Sequence, residues 1–196
     1  MAKIAYLSKS DNVTTALPEI NKVTAANMNE IKTSVNAVYD TLGGFAFYED
    51  ATTAVTPIAI VADTWTDLTN DKAGSGTITT YKPSYVSGEL WDTATNTIDL
   101  DELPNGKVVV IRTDFEYSPS SNNQHIDARL YFPDVPKELH FLHTDVGSHH
   151  ENHHFVNTSM FYVDSNIQTS DVKIQVQSSG AGSVKVNGFL ISVLSF

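Results

Sequence analysis

Apolar and polar residues fall into two regimes along this chain, with the break at Gly43-Gly44. Before the break, Met28, Ile31, Val35, Val38 and Leu42 recur at intervals of three and four, while Asn29, Lys32, Ser34 and Asn36 are polar. That is the a/d seam of a heptad and predicts one helix over 24–42. Thr24 stands where an N-cap is expected, and Val23 and Met28 can staple across it. Gly43 and Gly44 then read as left-handed C-caps. A seam this narrow suits a helix that meets copies of itself better than one laid on a sheet, which would carry a wider stripe.

After the break the period drops to two. In Val108 to Tyr117, Val109, Ile111, Thr113, Phe115 and Tyr117 alternate with Val108, Val110, Arg112, Asp114 and Glu116. Ile126, Ala128, Leu130 and Phe132 alternate with Asp127, Arg129 and Tyr131, and Val172, Ile174 and Val176 with Lys173, Gln175 and Gln177. Alternation of this kind predicts strands with one face in a core and one in water. Turn residues separate the runs at Pro104-Asn105-Gly106, at Ser118 to Asn123 and at Ser178 to Ser183. The last two are read as hairpin loops between antiparallel neighbours. The fold class expected is mainly β: an antiparallel jelly-roll sandwich after a short N-terminal helix.

The final strand, Phe189 to Phe196, is apolar on both faces. A two-layer sandwich buries only one face of a strand, so the other needs a cover, and a neighbouring copy would supply it. Phe189, Ile191 and Val193 are therefore expected at a subunit interface, with the helical seam Met28, Ile31, Val35, Val38 and Leu42. Residues 1–23 are weakly patterned and broken by Pro18. Such a segment buries too little to order alone; it is either an anchor peptide that orders by docking on a partner or a frayed terminus.

Composition narrows the function. Hydrophobic residues make up 41% of 196, enough for a sizeable core. No apolar run is long enough to cross a bilayer, and Met1 to Asn12 lacks the layout of a secretory signal. Synthesis in the cytoplasm of a host cell is expected. The net charge of -11, without a basic stripe, argues against nucleic acid as a partner. The absence of cysteine excludes disulfides, thiol nucleophiles and thiolate metal sites.

One cluster has ligand chemistry. His140, His143, His149, His150, His153 and His154 fall within fifteen residues, with Asp145 and Glu151 between them. On a strand, His149, Glu151 and His153 would share a face and are the weak metal candidates. A solvated or inter-subunit histidine loop is the competing reading. No nucleophile elbow or phosphate loop is present, so no enzyme activity and no cofactor are expected. Trp65, Tyr81, Tyr85, Trp91, Tyr117 and Tyr131 sit in or beside loops and on strand faces, where exposed rings bind sugars and proteins and buried ones merely pack.

Several runs carry a resemblance. Phe45 to Ile58 leads into Trp65 to Asp71, then Leu90-Trp91-Asp92 and the strand with Arg112-Thr113-Asp114-Phe115. Together they resemble phage and prophage head-fibre or tail-spike domains with a tumour-necrosis-factor-like jelly roll. Asn21 to Leu42 resembles the helical stalks that precede such heads. The resemblance implies a virion protein, a homotrimer and attachment to phage capsid or tail through residues 1–23. The reading is then a fibre or spike that displays 45–196; the alternatives are a carbohydrate-binding receptor module for host-surface glycan and a metal-dependent jelly-roll enzyme. The histidine stretch 140–154 is not part of it.

Overall fold

The computed structural model describes residues 25–195; the expected anchor 1–23 and the N-cap Thr24 lie outside the described residues, as do the side chains of Ala25 and of 37–41. The chain divides into two compact units, Met1–Leu42 and Gly43–Phe196.

The first unit holds helix α1, Ala25–Thr41. Along its predicted seam Ile31 is 52% exposed and Val35 46%. Met28 is half-buried, Leu42 just past the helix is exposed, and the side chain of Val38 lies outside the described residues.

The second unit is a two-layer sandwich. Eleven strands occur among the described residues: β1 (Gly44–Glu49), β2 (Ile58–Ile60), β3 (Thr66–Asp67), β4 (Trp91–Asp92), β5 (Thr97–Ile98), β6 (Val108–Pro119), β7 (Gln124–Phe132), β8 (Lys137–Val146), β9 (His153–Tyr162), β10 (Lys173–Ser178) and β11 (Gly182–Leu194). The larger sheet runs β1-β11-β6-β9, with β2 also on β11; the smaller runs β3-β10-β7-β8; β4 and β5 form a two-stranded ribbon. All pairings are antiparallel. The chain changes sheet between β6 and β7, β8 and β9, β9 and β10, and β10 and β11. That connectivity defines a jelly roll.

The alternation read from the sequence sets which side faces in. Val109, Ile111 and Phe115 of β6, Ile126, Ala128 and Leu130 of β7, and Val172, Ile174 and Val176 beside and along β10 are all buried in one core. Each large side chain removed from water there contributes about 1.5–3 kcal/mol. Trp91 closes the core: its ring centroid lies 4.9 Å from that of Phe189, and its Nε1 donates to the Asn70 carbonyl at 2.9 Å.

Two turn expectations are corrected. Ser118 to Asn123 and Ser178 to Ser183 are not hairpins within one sheet; each carries the chain from one sheet to the other. Turn chemistry marks a reversal without saying which sheet receives the next strand. Tyr117 fastens both corners, its hydroxyl against Gln124 Oε1 and 2.7 Å from Ser178 Oγ. The capping glycines are corrected too. Gly43 and Gly44 lack the positive φ of a left-handed cap. A Cβ at Gly43 would lie 2.2 Å from the Val193 carbonyl oxygen, and one at Gly44 2.4 Å from that of Tyr81. They are glycine because backbones pass too closely for a side chain.

Candidate functional site

Because β11 lies inside the larger sheet, its two faces have different fates. Phe189, Ile191 and Val193 point inward and are buried in this chain's own core. Their expected place at a subunit interface is therefore corrected: sequence parity assigned the greasy faces but not which one the second sheet covers. The outward set is Leu190, Ser192 and Leu194, which are half-buried or exposed.

Register builds that outward set into a surface. Val108 of β6 pairs with Leu194 and Tyr162, and Val110 with Ser192 and Met160. Ser192 and Leu190 pair in turn with Phe45 and Phe47 of β1, and Phe47 bridges to Ile78. Phe45 stacks on Tyr81, centroids 5.3 Å apart. Met160 is 63% exposed, Tyr81 62%, Tyr162 57% and Ile78 41%. The result is a continuous apolar face across four strands. At about 200 Å² per aromatic side chain, Tyr81 and Tyr162 alone leave over about 200 Å² uncovered. Patches larger than a few hundred Å² on a soluble chain mark contact sites.

The same face ends in a charged cluster. Arg112 Nη2 lies 3.6 Å from Asp114 Oδ2, and His154 Nε2 is 2.7 Å from Asp114 Oδ1. Asn187 Nδ2 donates to Asp114 at 2.8 Å, and Lys185 Nζ donates to Glu116 at 3.0 Å. Burial pushes the Asp114 carboxyl up, but hydrogen bonds from Asn187 and His154 and the charge of Arg112 outweigh it and hold it below the usual carboxylate range. The Lys185 hydrogen bond chiefly lowers Glu116. Every ionised group in the cluster has an opposite partner, which permits closer contact with a neighbour than bare charges would.

The histidine stretch does not assemble as the sequence suggested. His149 and Glu151 lie in the loop before β9, and only His153 is in the strand. His149 Nδ1 sits 2.7 Å from Asn122 Oδ1 and its ring lies against His150; His153 Nε2 faces the Ser148 carbonyl at 2.8 Å. The shared strand face expected for His149, Glu151 and His153 is therefore absent, and among the described residues no group of three or more metal-ligating side chains is placed to hold an ion. His140 and His143 are elsewhere, on β8. His143 Nδ1 is 2.5 Å from Asp127 Oδ1, and that hydrogen bond and the carboxylate charge raise its pKa above 6.5. Of the six aromatics singled out, Trp91 and Tyr117 are fully buried and Tyr81 joins the apolar face. Tyr85 packs half-buried against the core, Tyr131 is half-buried on β7, and Trp65 is half-buried just before β3. The sequence pattern sets Val108 and Val110 on the opposite face of β6 from the core but gives no sign that they join Met160 and Tyr162 of β9 in one apolar surface.

The jelly-roll class follows from the strand order alone, and comparison with known proteins adds solved structures of like layout. No protein-family profile matches the chain, and no curated protein matches it. Eiger TNF from S. frugiperda aligns at 10% identity over 79% of this chain and 92% of its own, with a TM-score of 0.42. A chain of infectious bursal disease virus, Gx strain, aligns at 10% identity over 80% of this chain and 30% of its own, TM-score 0.36. The xylan-binding module CBM15 aligns at 15% identity over 71% and 98%, TM-score 0.34. The likeness is in the arrangement of strands alone. No helix among the described residues is long and apolar enough to cross a membrane.

Proposed function

We propose that this chain is a structural subunit of a virus particle, a trimeric fibre or spike whose jelly roll is displayed outward. The observation that carries the reading is the apolar outward face of β1-β11-β6-β9. A face of this size that ends in paired charges is suited to burial against identical copies, and cyclic symmetry closes the assembly without leaving it open to fibres. The half-exposed Ile31 and Val35 supply a second, parallel contact along the helix as a stalk. The sequence resemblance to phage head-fibre and tail-spike domains supplies the viral setting and the attachment of residues 1–23 to capsid or tail. The role is packing and display rather than turnover.

Two measurements test it. Light scattering of the full chain at low concentration is expected to give three times 21.4 kDa. Antibody raised against the jelly roll is expected to label purified particles under the electron microscope. A monomer in solution removes the assembly, and unlabelled particles remove the virion location.

A further inference from the structure

The smaller sheet presents different chemistry on its outward side. Arg129 of β7 sits at the centre. Its Nε donates to Gln175 Oε1 at 2.9 Å, and its Nη1 is bonded to the Glu138 carboxylate. Gln175 Nε2 donates to Asp67 Oδ1 at 2.6 Å, and Lys173 Nζ holds the other Asp67 oxygen at 2.6 Å. The guanidinium lies 3.9 Å from the Trp65 ring centroid and 4.8 Å from that of Tyr131. His140 meets the indole edge-on at 5.6 Å.

Trp65 has no place in the core cluster, nor does Tyr131. Trp65 stays half-buried, with the Arg129 guanidinium over one face of its indole, which holds the ring in a fixed orientation. The clamp on Arg129 also fixes its neighbours. The Arg129 side chain is 13% exposed, while Glu138 and His140 remain 48% and 47% exposed around it. A flat ring therefore sits beside rigid, planar donors and acceptors that are already held in place. A pyranose has the complementary form: one face of C–H groups and a rim of hydroxyls.

Charge selects the class further. The two cations, Arg129 and Lys173, are each paired with a carboxylate, Glu138 and Asp67. No net positive charge is left to draw a sulfated or acidic chain. We propose that this face is a binding site for a neutral saccharide, with the sugar ring on the side of Trp65 that Arg129 does not cover and its hydroxyls on Glu138 and His140, which hold each other at 3.3 Å. Preorganisation by the Arg129 network lowers the ordering cost of binding. The site lies on the opposite sheet from the apolar face, so it goes beyond the assembly reading and stands or falls separately.

The chain has two tryptophans, and Trp91 is fully buried, so a change in surface tryptophan emission reports on Trp65. The full-length protein is titrated with xylohexaose, cellohexaose, maltohexaose and chitohexaose, with heparin hexasaccharide as the acidic comparison. At least one neutral chain is expected to shift the emission and shield it from acrylamide. Trp65→Ala is expected to weaken binding at least about tenfold, the loss of one aromatic contact of about 1.4 kcal/mol. Trp65→Phe should retain part of it, and Val55→Ser, at an 84% exposed position in the turn after β1, should leave it unchanged. Circular dichroism confirms that each variant is folded. No emission change with any neutral chain at millimolar concentration overturns the proposal. So does preference for heparin, or binding that survives Trp65→Ala.

Discussion

Met160→Asp tests the assembly most directly. Met160 lies on the outward face of β9 opposite Val110, 63% exposed in the single chain. Covering the rest of a side chain whose full burial is worth about 1.5–3 kcal/mol contributes roughly 1–2 kcal/mol per copy. An unpaired carboxylate sealed in the same place costs on the order of 3–5 kcal/mol. The sum per copy exceeds about 4 kcal/mol, which is about a thousandfold in affinity. The fold itself should hardly notice, because an exposed strand position changes stability by about 1 kcal/mol or less. Light scattering over a dilution series, with thermal unfolding by circular dichroism, separates the two effects. The expected result is a folded monomer of 21.4 kDa beside a wild type of three times that mass. A folded Met160→Asp variant that keeps the trimer mass at every dilution refutes the placement of the interface on this face.

Other perturbations probe separate parts. Val35→Asp, at a seam position 46% exposed in α1, should weaken association of the full chain, read as a lower mass at matched concentration; an unchanged mass means the helix does not zip. Tyr117→Phe removes the hydroxyl shared by Gln124 and Ser178 and should cost about 1–3 kcal/mol in chemical denaturation. Trp91→Ala empties the centre of the core and should cost about 3–5 kcal/mol. The Asp127 carboxylate raises the pKa of His143, so its stabilisation is complete below the unfolded value near about 6.5 and fades as pH rises through the higher folded value. Asp127→Asn should lower the His143 midpoint followed by NMR; an unmoved midpoint removes that pairing. His143 is 75% exposed, so the effect on stability is small and screened by salt.

Much of the fold was legible because period-two alternation is a direct image of a two-layer sandwich. The inward residues of β6, β7 and β10 could be named from Val108 to Val176 without any partner strand. The heptad spacing likewise marked α1 to within a residue at each end. What the sequence did not carry was anything that depends on which distant segment arrives next. Ser118 to Asn123 has the composition of a hairpin loop, yet it turns a corner between sheets because β7 finds its partners in β10 and β8. The histidines illustrate the same limit. Their spacing suggested one cluster, but β8 carries His140 and His143 to the smaller sheet, while His153 and His154 enter β9 of the larger.

The apolar last strand shows how a correct observation and a misplaced site can coexist. Both faces of Phe189 to Leu194 are greasy, and two covers are indeed required. The first is the chain's own second sheet, which buries Phe189, Ile191 and Val193. The second is not supplied from within the described sandwich: Val108 and Tyr162 stand beside Leu194, Phe45, Val110 and Met160 beside Ser192, and Phe47 beside Leu190, all apolar, until Arg112 ends the row. Neighbouring strands extend the problem instead of solving it: each adds exposed carbon to the same side. The smaller sheet carries Trp65 and Tyr131 on its outward side, but both lie against Arg129, whose network with Gln175 and Asp67 pairs the polar groups around them. One sheet therefore leaves apolar side chains uncovered, and the other presents mainly polar groups already paired with one another. That asymmetry, more than any single residue, is why the proposed assembly is placed on β1-β11-β6-β9 and the proposed saccharide site on β3-β10-β7-β8.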